Sequence, residues 1–265
     1  MAQPARPRAA ARRRLRVVAV LGALAAASAA PANAQAMFDG PAYAFPVPDY
    51  VSGLIGASAL QTTAGLDGGS ATRRAAGRRG RRAAPRRPRR PTAAQRRTLR
   101  FRPVPSVTAK IHDLVVERTG ADRATVVPEF ERVTADWRRV MARKVGWRPR
   151  DLGDVAAFAF VQGYGIVHGV ATFDKRGLAR IRAAVGDNLA ADARVRRLSD
   201  ARKQEAAESL ELRTIFFAAD VATLEERGDD AGAVAQRSEL RGWLRAVYGV
   251  DVAKVRVTRR GLVRR

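Results

Sequence analysis

The chain contains no cysteine. That excludes disulfides, thiolate metal sites, cysteine nucleophiles and lipid attachment through sulfur. A disulfide-free chain is compatible with any compartment, so this absence does not choose one. Histidine is nearly as scarce, with two in 265 residues. His112 and His168 fall on different expected helices, and no histidine pair has i,i+4 spacing. A zinc site needs three or four converging ligands, so the sequence carries no metal signature and implies no cofactor. Also missing are a phosphate-cradling glycine loop, a G-x-S-x-G nucleophile elbow and a dinucleotide fingerprint. Nothing in the sequence argues for an enzyme.

What is abundant is arginine. Lys+Arg total 50 against 25 Asp+Glu, and only five of the 50 are lysine. The bias accompanies many Ala and Gly, so a coding preference explains part of it. A chain this basic attracts polyanions of every kind, whether nucleic acid, anionic lipid, acidic polysaccharide or acidic protein.

The first 34 residues read as a signal peptide. Residues 1–16 carry six Arg and no acid, and an apolar run, Val17 to Ala30, follows. That run is shorter than the roughly 20 residues a membrane-spanning helix needs. Ala32-Asn33-Ala34 supplies small residues at cleavage spacing, which places the cut between Ala34 and Gln35. The "RRRLR" at Arg12 to Arg16 fits a twin-arginine signal and a generic basic leader equally well. The expectation is a periplasmic or secreted protein with no transmembrane span in the mature chain.

Three zones follow. Residues 35–66 form an arm in which Pro41, Pro46 and Pro48 forbid a continuous helix. Residues 67–100 are a low-complexity Arg/Ala/Pro/Gly linker with 13 Arg and one Asp. So little apolar bulk cannot offset ordering entropy, so disorder is expected there. Residues 101–265 are less one-sided, with 31 basic and 22 acidic residues, and form a helical domain.

Helical periodicity runs through that domain. Ile111, Leu114 and Val115 mark a helix near 105–119, and Pro128 is read as opening the next, which bears Phe130, Val133, Trp137 and Met141. Asp151 caps a third helix that ends at His168 and is apolar nearly all round, hence central. Leu178 to Leu189 mark a fourth, Ser199 caps a long fifth, and Asp229 or Asp230 starts a sixth. The closing "VDVAKVRVTRRGLVRR" reads as a turn or one extended stretch. The fold class is all-α, an antiparallel bundle of five to six helices.

Few residues in this domain have a claim to chemistry. Tyr164 and His168 are four apart on the central helix and therefore adjacent, so they are candidates to line a small pocket. Glu205, Glu208 and Glu211 share one side of the fifth helix. A solvated face paired with Arg202, Lys203 and Arg213 explains them better than a cation site. Asp151 and Asp154 sit at a helix start, where negative charge is favourable for structural reasons.

Four stretches in order, "FRPVPSVTAKIHDLVVERTG", "GWRPRDLGDVAAFAFVQGYGIVHG", "LSDARKQEAAESLELRTIFF" and "WLRAVYGVDVAKVRVTRRGL", resemble a family of exported bacterial proteins of unknown function. The resemblance covers Phe101 to Leu262. It implies export and a helical domain, and it assigns no site residue.

The densest charge is Arg73, Arg74, Arg78, Arg79, Arg81, Arg82, Arg86, Arg87, Arg89 and Arg90, a candidate polyanion-binding run. It has no aromatic residue for bases to stack on, and export removes most nucleic acid from its surroundings. Anionic envelope lipids or polymers are the better partners. The leading expectation is a non-enzymatic binding or structural component of the cell envelope. The alternatives are a nonspecific nucleic-acid binder using the same run and an enzyme with a pocket at Tyr164 and His168.

Overall fold

The computed structural model describes residues 90–265. The signal peptide, the cut at Ala34 and Gln35, the arm and Arg73 to Arg89 lie outside the described residues. Eight α-helices are present there: α1 Ala93–Arg97, α2 Pro105–Thr119, α3 Arg123–Val140, α4 Leu152–His168, α5 Lys175–Ala191, α6 Ala193–Arg196, α7 Asp200–Glu226 and α8 Asp230–Tyr248. Two short strands, β1 Val255–Thr258 and β2 Gly261–Arg264, close the chain. The protein is mostly helical, as the periodicity requires, but the C-terminal hairpin corrects the all-α expectation. Val255 and Val257 alternate against Leu262 across a two-residue turn, with Val255 opposite Arg264 and Thr258 opposite Gly261.

The helix starts follow local capping chemistry. Asp151, Asp174, Ser199 and Asp229 each accept a backbone N–H from the first turn of α4, α5, α7 and α8, which satisfies donors that no helix can pair internally. Pro128 does not open a helix. Asp122 caps α3 by accepting from the Thr125 N–H, and Pro128 lies inside it. α3 then passes into a π-helical turn, Met141–Val145, that ends at Gly146.

α4 is the centre. Thirteen of its 17 residues are buried, and it packs against α5, α7 and α8. Its Phe158 meets Trp137 of α3 edge-on, with ring centroids 4.6 Å apart. Tyr248 of α8 donates to the Ala156 carbonyl at 2.8 Å inside the core. No described helix is long and apolar enough to cross a membrane.

Residues 90–100, read from sequence as linker, belong to the folded domain. Thr92 and Gln95 form a reciprocal capping box for α1, and Leu99 is 2 % exposed. The Leu99 side chain and the capping box help to anchor the segment, despite its low complexity.

Candidate functional site

The anchored segment builds one wall of a cleft. Residues 99–101 run antiparallel to 150–152: the Leu152 N–H donates to the Leu99 carbonyl at 3.0 Å and the Phe101 N–H to the Arg150 carbonyl at 3.2 Å. This pairing holds α1 beside the start of α4. A Cβ on Gly153 would stand 2.9 Å from Leu99 Cδ1 and 3.2 Å from Gly186 Cα, so only glycine lets α4, α5 and Leu99 meet this closely. The π turn and Gly146 bring Lys144, Trp147 and Arg148 to the opposite rim. Between them lies a cleft of about 760 Å³.

Its charge is one-sided. Arg96, Arg97, Arg100, Lys144, Arg148, Lys175 and Arg182 line it, against Asp151 and Asp154. Asp154 is nearly buried and accepts three bonds, from Arg182 Nε at 2.6 Å, Arg182 NH2 at 2.5 Å and the Arg148 N–H at 2.8 Å. The Arg182 guanidinium lies 5.8 Å from the centre of the Trp147 ring. Burial, and then the neighbouring Asp154 charge, raise the Asp151 pKa above its ordinary value. Arg100 reaches Asp151 at 3.9 Å, and Arg96 pairs with Asp187.

Arg97, Lys144, Arg148 and Lys175 are exposed, and none has an ion-pair partner among the described residues. Four uncompensated cations around a concave surface favour anions. Trp147 is 4 % exposed, so its ring is floor and offers no stacking face. No group of three or more His, Asp or Glu side chains gathers as a metal site among the described residues.

Of the arginine run, Arg90 alone is described. Its side chain is 76 % exposed, with Nε 3.3 Å from the Asp187 carboxylate that also pairs with Arg96 of the cleft. Tyr164 and His168 are adjacent, as their spacing demands, with ring centroids 4.4 Å apart. Their polar atoms hold the C-terminal segment. The Tyr164 hydroxyl donates to the Val255 carbonyl and accepts from the Val257 N–H, both at 3.4 Å. His168 Nε2 meets the Val252 carbonyl at 3.0 Å, and Nδ1 faces Arg265 at 3.3 Å. Desolvation by burial lowers the His168 pKa, so the ring is neutral at neutral pH. Neither residue lines the basic cleft.

The glutamate stripe differs from expectation. Glu205 pairs with Arg202 at 2.8 Å, as expected of a surface residue, and with Lys110 of α2 at 2.6 Å. Glu208 and Glu211 instead face inward to Arg138 of α3. They border a second cavity, of about 310 Å³, with Phe101, Thr108, Arg150 and Gln204. Sequence reasoning missed both cavities. The cleft's bases come from three separate stretches, and in so arginine-rich a chain none of them stands out.

No curated protein and no solved structure matches the chain. A model described as a family of unknown function (DUF6683) matches residues 11–265, and the chain belongs to that family. The match reaches well beyond Phe101 to Leu262 and takes in the arginine run.

Proposed function

We propose that this family member is an exported, non-enzymatic helical protein that adheres to anionic surfaces of the cell envelope. Its contact residues are those of the run Arg73 to Arg90 and, next in sequence, those of the cleft. The observation that carries this reading is the cleft's position. The run leads at Arg90 directly into α1, whose Arg96 and Arg97 form the cleft wall. The four uncompensated bases are exposed and long, which suits a fluid or polymeric anion better than one shaped ligand. The buried Trp147 ring leaves bases of a single-stranded nucleic acid nothing to stack on in the cleft.

The test is fractionation of cells at low ionic strength, with intact-mass measurement on the recovered protein. The expected chain begins at Gln35, sediments with the envelope and is released by salt. Each base near an anionic membrane contributes about 1 kcal/mol. Replacing Arg97, Lys144, Arg148 and Lys175 together by Glu therefore weakens association by roughly a thousandfold or more and moves the protein to the soluble fraction. An unprocessed chain bound to cytoplasmic nucleic acid, or envelope association indifferent to salt, would overturn the reading.

A further inference from the structure

The seam between α3 and α7 holds a charge imbalance that the anion-binding reading does not use. Arg138 donates from Nε and NH2 to Glu211 Oε2 at 3.0 and 2.9 Å, and from NH2 to Glu208 Oε1 at 3.3 Å. Glu208 Oε1 also accepts from Gln204 Nε2 at 3.1 Å. Each carboxylate therefore has one satisfied oxygen and one orphan. Glu211 Oε1 and Glu208 Oε2 are buried with no hydrogen-bond partner. Glu211 as a whole is 3 % exposed.

A buried carboxylate oxygen without a donor is costly, and two on adjacent turns of one helix face are costlier. One guanidinium facing two carboxylates leaves the group one positive charge short. The other groups facing it do not supply that charge. Thr108 of α2 and Gln204 of α7 are neutral, and Arg150 sits exposed at the cavity rim with no ion-pair partner among the described residues. A water or small cation in the 310 Å³ cavity does not meet the need, because both orphan oxygens are sealed from solvent. A proton is small enough to do so.

We infer that Glu211 is protonated below neutral pH, and that this proton latches α7 to α3. Its loss leaves two neighbouring carboxylates, each with one sealed and unpaired oxygen, on one guanidinium, and the seam opens at the cavity. Burial pushes the Glu211 pKa up to about 7, overcoming the lowering by Arg138. The unfolded chain has an ordinary carboxylate there, with a pKa of about 4.5. Between those two values the folded state binds the extra proton. The stabilisation is thus complete below the unfolded value and is lost as pH rises toward 7.

The experiment compares the pH dependence of the unfolding equilibrium for the full chain and for Glu211→Gln, which keeps the shape without the titration. The wild-type unfolding constant is expected to rise relative to the variant by up to about tenfold per pH unit between roughly 4.5 and 7, and then to level off. Parallel curves across that window overturn the inference. Should Glu211→Gln not fold, the Glu211 carboxyl-carbon resonance of the wild-type chain decides the matter. A midpoint near 7 supports the latch, and one below 5 overturns it.

Discussion

Asp154 shows how a single side chain sets the cleft's character. It accepts three hydrogen bonds, from Arg182 and the Arg148 backbone, and so removes Arg182 from the pool of available cations. An exposed ion pair contributes about 0–1 kcal/mol and breaking a buried one costs 3–5. Arg182 is 37 % exposed and Asp154 8 %, which places this pair between those limits. Asp154→Ala is expected to lower stability by about 2–3 kcal/mol in denaturant unfolding. It is also expected to tighten anion binding, because the freed Arg182 adds one positive charge to the cleft. A stability loss with unchanged or weaker anion binding would mean that Arg182 lies outside the binding surface. Asp154 was legible as a helix-start carboxylate, and that role is real. Its partner was not legible, because Arg182 sits a full helix away and is one arginine among many.

At the scale of elements, most of the architecture was readable where a cap and an apolar period coincide. Ser199, Asp151 and Gly249 mark boundaries the structure keeps. Reading failed where a weak local signal is rescued by distant contacts. α3 starts at Asp122 because its side chain caps Thr125, and the later Pro128 is tolerated inside. The 90–100 segment looks like linker until Leu99 finds its place against α4 and α5. The hairpin was ambiguous because two four-residue strands are marginal alone, and they persist by packing on α5. That packing depends on Gly177, where an added Cβ would lie 2.3 Å from the Thr258 carbonyl oxygen. Gly177→Ala is expected to cost about 1–3 kcal/mol and to speed hydrogen exchange of the hairpin amides. Gly242→Ala, in open space on α8, is the control and should gain about 0.5–1 kcal/mol. Equal effects at the two sites would show that α5 does not hold the hairpin.

At the scale of the molecule, the charge is unevenly spread. Residues 101–265 hold 31 basic and 22 acidic residues, and most of the acids capped or faced a base in the fold. Two groups of exposed bases stand out among the described residues. One is the cleft reached from the arginine run, and the other is the C-terminal hairpin with Arg256, Arg259, Arg260 and Arg264. Composition alone suggested attraction to polyanions without locating a surface, since convergence of residues 96–97, 144–148 and 175–182 exists only after folding. The cleft is concave and its α1 wall follows the run in sequence, while the hairpin bases are exposed on and beside a two-residue turn. The proposed anion contact therefore centres on the cleft. Amide chemical-shift mapping of the mature chain, titrated at low salt with short-chain inorganic polyphosphate, tests this most directly. The predicted result is perturbation at residues 96–97, 144–148 and 175–182 that continues into 73–90 and fades as salt is raised. Perturbation centred on residues 256–264, with the cleft silent, would contradict it.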